Sequence, residues 1–122
     1  MPYTNNWEEK GLYRKFTGTI NGVEILEANL KLHVDARFNK IKYVINDFTE
    51  VSDLRVETKH TNAYAASDKV ISDRMRGLKI AIVVTTELQI TLAKAYLEQM
   101  KDSNFRCEIF TNLDDAYKWA AA

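Results

Sequence analysis

One run of residues constrains the fold of this chain more than any other. Residues 78–84 read Leu-Lys-Ile-Ala-Ile-Val-Val, with Gly77 directly before them and Thr85 directly after them. A short run whose alternating positions are apolar in both sets predicts a strand that is covered on both faces. Such strands occur chiefly in parallel sheets. The segment therefore predicts the central parallel strand of an α/β sheet.

The remaining strands and helices are predicted to alternate along the chain. Period-two alternation or apolar content predicts strands over residues 12–17, 40–48 and 105–110. Apolar residues at helical spacing and capping residues predict helices over residues 21–34, 53–75, 85–101 and 111–119. Strands separated by helices of this length form βαβ units. We therefore predict one α/β domain over residues 1–122, with a mainly parallel sheet of four to five strands and about four helices.

Charge and cysteine content exclude several classes of function. The 122 residues carry 17 basic and 17 acidic side chains without a basic stripe, so we expect no nucleic-acid partner. No stretch approaches the roughly 18 apolar residues of a membrane span, and the amino terminus lacks the features of a signal peptide. Cys107, the single cysteine, lies in an apolar-rich segment and is expected to be buried and inert in a reducing compartment. We expect a cytoplasmic protein without an integral membrane segment.

Residue types that carry catalysis or bind metals occur here only singly. His33 and His60 are isolated in sequence and form no metal-binding spacing. The chain has no Gly-x-Ser-x-Gly elbow and no Walker sequence, and its adjacent acids Asp114 and Asp115 lie at a predicted helix start. The sequence therefore predicts no catalytic residue, no metal site and no cofactor.

Four polar residues follow the ends of two predicted parallel strands and are candidate ligand-binding residues: Asp47, Thr49, Thr85 and Thr86. The carboxyl ends of parallel strands meet at one sheet edge, beside helix amino termini that favour anions. An alternative explanation needs no ligand, because hydroxyl-bearing residues at this edge also serve as helix N-caps.

A second candidate ligand site lies on the second predicted helix. If this helix is unbroken, His60, Ser67 and Arg74 fall seven residues apart along one otherwise apolar face. Buried there, each polar side chain would need a partner, and the row could line a pocket that holds an apolar or anionic ligand. The alternative is a helix break near residues 61–62, with Arg74 in solvent.

The first and third predicted helices carry more apolar surface than one sheet face requires. On the first helix, Val23, Leu26, Leu30 and Val34 form the predicted core stripe. The surplus apolar residues are candidate interface residues: Ile25 and Leu32 on the first helix, and Ile90, Leu97 and Met100 on the third. Neighbouring helices of the same chain, a homodimer or other protein partner, or an apolar ligand groove would each account for this surplus.

Several segments resemble the STAS family. The order of predicted elements fits these domains, and Asp47-Phe48-Thr49-Glu50-Val51 looks like their Asp-x-Ser/Thr-x-Val segment. The SpoIIAA-like group is matched by three further runs: Asp35-Ala36-Arg37-Phe38, Tyr43-Val44-Ile45-Asn46-Asp47-Phe48, and Phe110-Thr111-x-Leu113-Asp114-x-Ala116-x-x-Trp119. The resemblance runs over nearly the whole chain and implies a SpoIIAA-like, STAS-related fold.

The resemblance also implies a function, but this chain departs from the family pattern at the site of phosphorylation. Anti-sigma factor antagonists of this family carry a phosphorylatable serine at a helix start, about eight residues beyond the matched aspartate, where this chain has Arg55 and Val56. Ser52 is the remaining candidate for phosphorylation. We predict a non-enzymatic regulatory or protein-interaction module. Because the group is similar in fold to the lipid-carrying CRAL-TRIO domains, the alternative is a carrier or sensor of a small apolar, lipid-like or anionic ligand.

Overall fold

The apolar run at residues 78–84 does form a buried strand at the centre of the fold. The computed structural model describes residues 2–122, and the elements follow in this order: β1 (Tyr3–Trp7), β2 (Gly11–Asn21), α1 (Gly22–His33), β3 (Tyr43–Arg55), α2 (Thr58–Ser72), β4 (Lys79–Val83), α3 (Glu87–Met100), β5 (Arg106–Phe110) and α4 (Leu113–Ala121). A short 3-10 helix, Ala36–Lys40, precedes β3. All five residues of β4 are buried.

The five strands form one sheet in the order β1-β2-β3-β4-β5. Strands β2 to β5 are parallel, and β1 pairs antiparallel with β2 at the edge. The predicted mainly parallel α/β sheet with four helices is therefore confirmed. Within residues 2–122, no helix is both long and apolar enough to cross a membrane.

The helices cover both faces of the sheet. Helices α1, α2 and α3 share one core with the sheet, and α2 contacts both of its neighbours. Helix α4 packs on the opposite face against β3, β4 and β5. The core beneath α4 is small and consists of Ile45, Ala81, Val83, Ala116 and Ala120.

The second predicted helix begins later than expected. Strand β3 continues to Arg55 because residues 50–55 pair with the end of β2, so α2 spans Thr58–Ser72 rather than residues 53–75. Asn21 caps α1 through a capping box with Glu24, as its position before the helix suggests.

The predicted core stripe of α1 is wrong. Ile25, Ala28 and Leu32 face the sheet and are buried, whereas three residues of the predicted stripe, Val23, Leu30 and Val34, are exposed. Only its fourth residue, Leu26, packs against the core, and it is half-buried. Both stripes have helical spacing, and periodicity alone cannot decide which of two apolar stripes packs on the sheet.

Replacing Gly11 with alanine should lower the free energy of unfolding by about 1–3 kcal/mol, because the added methyl group would overlap the Tyr43 ring. That ring is held by its hydroxyl, which donates to Glu8 Oε1 at 2.6 Å, and by edge contact with Tyr117. Urea denaturation measures the change. In a Tyr43→Ala background the same substitution should cost much less, and an equal cost there would exclude the clash as its cause.

Candidate functional site

A cavity of about 110 Å³ lies between the sheet and helices α1, α2 and α3. Its walls are mostly apolar and include Phe16, Leu32, Phe38, Val44, Ile80 and Leu92. The polar side chains that border it include Arg14, Asn46 and Asp68. An apolar cavity with a few placed polar groups is the usual form of a small-molecule site.

Arg14 is a charged residue on the buried face of β2. It is 1% exposed and lies between Leu12 and Phe16, which the period of two places on the same face. Its Nη1 donates to Asn29 Oδ1 at 2.8 Å, and its guanidinium carbon lies 5.4 Å from the centre of the Phe16 ring. Burial lowers the pKa of Arg14 to about 10, so the guanidinium is charged at neutral pH.

The other side of the Arg14 guanidinium makes no such bond. No group within residues 2–122 accepts a hydrogen bond from Nε or Nη2, although both atoms are buried. We call these two nitrogens the open edge of Arg14. Asn46 lies beside Arg14 in register on β3, and within the same described range its buried Oδ1 also accepts no hydrogen bond. Two neighbouring strands thus place polar groups with unused hydrogen-bonding capacity at one part of the cavity wall.

Asp68 of α2 supplies a negative charge to the same region. Its Oδ1 lies 3.1 Å from His33 Nε2, and its Oδ2 accepts a hydrogen bond of 2.6 Å from the Tyr96 hydroxyl. Burial and the Asp68 charge raise the pKa of Tyr96 well above its usual value, so its hydroxyl remains a donor. Three helices therefore meet in one buried network, in which both carboxylate oxygens of Asp68 are engaged.

Cys107 on β5 is half-buried near this network. Burial raises the pKa of its thiol to about 12, with a further contribution from Asp68. Because the thiolate is the nucleophilic form, this cysteine stays protonated and unreactive at neutral pH. Among the residues that the structure describes, no three His, Cys, Asp or Glu side chains are placed to hold a metal ion.

The four predicted residues at the carboxyl edge do not border this cavity. Asp47 is buried on the α4 face, where it accepts hydrogen bonds from the Tyr13 hydroxyl and the Thr49 backbone N–H. Thr49, Thr85 and Thr86 are exposed. Thr86 is the N-cap of α3 and accepts from the Gln89 backbone N–H at 3.2 Å, as the capping alternative predicts.

His60, Ser67 and Arg74 do not converge on a site. His60 Nδ1 accepts from the Glu57 backbone N–H and completes a capping box at the start of α2. Ser67 donates to the Tyr64 carbonyl. Arg74 lies beyond the end of α2, is exposed, and donates to the His33 carbonyl at 3.0 Å. The neighbouring face of α2 borders the cavity instead, through Thr61, Tyr64 and Asp68.

Three of the five predicted interface residues lie in the core of the monomer. Ile25, Leu32 and Met100 are buried against the sheet, so their placement on an interface is corrected: their apolar surface is already covered within the chain. Ile90 and Leu97 are half-buried and pack against the same core. The exposed apolar side chains are instead Val23 and Leu30 on α1 and Val34 at its C-cap.

Ser52, the candidate for phosphorylation, is exposed on the extended end of β3. It does not lie at a helix start, because α2 begins at Thr58. Arg55 ends β3, and Val56 borders the cavity.

The sequence contains one signal for the site that belongs to no motif. Arg14 is a cation at the centre of the apolar face of a predicted strand, between Leu12 and Phe16. Asn46 occupies the matching position on the next strand, on the same face as Val44. Arg14 contacts Asn29, and Asp68 contacts Tyr96. Each contact joins distant parts of the chain, so the spacing of residues in the sequence does not reveal it.

The architecture defines a class of protein: an α/β domain with three helices on one face of a mainly parallel sheet and a fourth on the other. A solved structure of the anti-sigma factor antagonist SpoIIAA in its unphosphorylated form has this fold, with a TM-score of 0.64 and 5% identity over 98% of this chain and 96% of that chain. The predicted SpoIIAA-like, STAS-related fold is thereby confirmed.

A second solved structure is an uncharacterised protein of the DUF3478 family with a SpoIIAA-like fold, from Shewanella loihica PV-4. It aligns with a TM-score of 0.49 and 17% identity over 97% of this chain and 91% of that chain. No protein-family model and no curated protein matches this sequence significantly.

Proposed function

We propose that this protein is a non-enzymatic, cytoplasmic SpoIIAA-like module that carries or senses a small ligand in the cavity between the sheet and helices α1, α2 and α3. The observation that carries the proposal is the open edge of Arg14 in a mostly apolar cavity wall. A buried polar group without a partner costs about 1–3 kcal/mol, and more when it is charged. A ligand that supplies the missing acceptors would recover this free energy on binding.

The chemistry of the cavity wall favours binding over catalysis. Cys107, which lies near the wall without bordering the cavity, keeps its thiol protonated, since burial raises its pKa to about 12. The oxygens of Asp68 are occupied by His33 and Tyr96. The SpoIIAA structure, which has the same fold, is that of an anti-sigma factor antagonist.

Replacing Ala93 with leucine should fill the cavity. Ala93 is buried on α3 and borders the cavity, so the larger side chain should raise the free energy of unfolding by about 1–2 kcal/mol. Amide NMR spectra follow the titration of the wild-type protein with butyrate, butanamide and 1-butanol. At least one of these probes should shift the signals of wall residues such as Val44 and Ile80. Ala93→Leu should remove these shifts.

Ala66→Leu is the matched control, because Ala66 is exposed on α2 and does not border the cavity. It should leave both stability and the shifts unchanged. If none of the three probes shifts the wall residues, or if Ala93→Leu binds them as well as the wild type, the cavity is not a ligand site.

A second proposed function, a protein-interaction module that forms a homodimer, is favoured by the exposed apolar side of α1. Val23, Leu30 and Val34 are 54%, 48% and 84% exposed and recur at helical spacing. Ile90 and Leu97 on α3 remain predicted contributors, with less exposed surface.

Replacing Leu30 with glutamate should keep the fold and convert a dimer to monomers, because it places a charge in the apolar side of α1. Sedimentation velocity over a range of concentrations measures this. Thr91→Glu, an equal charge change at an exposed site on α3, is the control. A wild-type protein that is monomeric throughout, or a Leu30→Glu dimer, would rule out this interface.

A further inference from the structure

Resting on the proposed function, we propose that the ligand is a small monocarboxylate, whose carboxylate is held side-on by the open edge of Arg14 and whose short apolar tail occupies the cavity. The inference concerns the chemical class of the ligand. It depends on the geometry of the guanidinium and on the size and polarity of the cavity.

The open edge of Arg14 has the shape that a carboxylate requires. Nε and Nη2 point their N–H groups in parallel, so that they match the two oxygens of one carboxylate in a bidentate pair. The same protein contains this pairing on its surface, where Arg37 Nε and Nη2 donate to Asp35 Oδ1 and Oδ2 at 3.0 and 2.8 Å. Asn29 accepts from Nη1 of Arg14 at 2.8 Å, which orients the guanidinium and leaves Nε and Nη2 without an acceptor among residues 2–122.

Asn46 can complete the head-group site. It is the register partner of Arg14 on the adjacent strand, and both side chains border the cavity. A side-chain amide offers two donors and one acceptor, and a half-turn about its last torsion exchanges their positions. Asn46 can therefore donate to a remaining lone pair of the bound carboxylate.

Asp68, the carboxylate of this chain whose charge acts on Arg14, does not bind the open edge of Arg14. Asp68 contributes favourably to the charged state of Arg14, yet its two oxygens are bound by His33 and Tyr96. Because Asp68 already offsets the charge of Arg14, a bound monoanion adds one net negative charge to the wall and a phosphate dianion adds two. The smaller excess is less costly to bury, which favours the monoanion.

The cavity limits the tail to a few carbon atoms. Its volume is about 110 Å³, whereas an apolar protein cavity of about 150 Å³ accommodates benzene. An acid with about three to five carbon atoms beyond the carboxylate fits this space on the same scale. The tail would contact Phe16, Phe38, Val44 and Ile80, which are apolar and border the cavity.

Isothermal titration calorimetry with butyrate, butanamide and inorganic phosphate tests the proposal on the full chain. Butanamide has the shape of butyrate without its charge. We expect butyrate to bind about 100-fold more tightly than butanamide, since two charge-assisted hydrogen bonds separate them, and phosphate to bind more weakly than butyrate. Arg14→Met should weaken butyrate binding by a similar factor, and Arg14→Lys by about tenfold because a lysine keeps the charge and loses the bidentate geometry.

Each contrary outcome has its own meaning. If butanamide binds as tightly as butyrate, or Arg14→Met leaves butyrate affinity unchanged, the carboxylate assignment is overturned and the cavity remains a site for neutral ligands. Tighter binding of phosphate also overturns it. If none of the probes binds, this proposal fails, and the proposed function fails with it only if 1-butanol also leaves the wall residues unshifted. Should Arg14→Met not fold, the comparison of butyrate with butanamide on the wild-type protein decides.

Discussion

Replacing Arg14 with methionine is expected to stabilise the free protein while weakening its binding of butyrate about 100-fold. Methionine fills a similar volume and removes a buried charge and its open edge, so the free energy of unfolding should rise by about 1–3 kcal/mol. Asn29, which loses its donor, is half-buried and can turn to solvent. Urea denaturation without added ligand measures the change.

Arg37→Met provides the control for this result. Arg37 is exposed and pairs with Asp35 on the surface, so its replacement should change stability by no more than about 0.5 kcal/mol. A clear loss of stability in Arg14→Met would mean that Arg14 serves the fold. In a chain whose sequence otherwise suits its fold, a residue that lowers the free energy of unfolding is expected to belong to a functional site.

Replacing Asp68 with alanine should produce the largest loss of stability. The carboxylate accepts from Tyr96 at 2.6 Å and pairs with His33 at 3.1 Å, and it offsets the charge of Arg14. Removing one member of a buried ionic network leaves its partners unpaired and typically costs about 3–5 kcal/mol. Chemical denaturation followed by tryptophan fluorescence measures this loss.

Two comparisons make the Asp68 result specific. Asp68→Asn keeps the shape and one acceptor, so it should cost clearly less than Asp68→Ala. Asp102→Ala, at an exposed position, should have little effect. In an Arg14→Met background the cost of Asp68→Ala should fall, because one charge that Asp68 balances is gone. A loss below about 1 kcal/mol for Asp68→Ala would show that the network does not hold the three helices together.

The elements that were predicted correctly carry strong local signals. Strand β4 is apolar on both faces, and α3 follows it with the N-cap Thr86. Strand β1 was not predicted because its three central residues, Thr4, Asn5 and Asn6, are polar and only its end residues Tyr3 and Trp7 pack against the core. The strand is held by pairing with β2 at the sheet edge. The polar end of β3 was assigned to a helix for a related reason: pairing with β2 overrides local preference there.

The candidate site was less accessible to sequence reasoning than the fold. Strand alternation places Arg14 on a buried face, but it does not reveal whether a cation there reaches solvent. The predicted row of His60, Ser67 and Arg74 assumed a helix that continues past Ser72, where α2 ends. Asp68 and Tyr96 meet only after α2 packs on α3, and that contact depends on the complete sheet.

The most direct measurement is the nitrogen–proton NMR spectrum of the arginine Nε groups, recorded as butyrate is added. The Arg14 signal is assigned by its loss in Arg14→Lys. The account predicts that the Arg14 Nε–H signal shifts and exchanges more slowly with water as butyrate binds, while the Arg37 signal stays unchanged. An Arg14 signal that does not respond at butyrate concentrations that saturate the wall residues, or a protein that binds no butyrate at all, would contradict it.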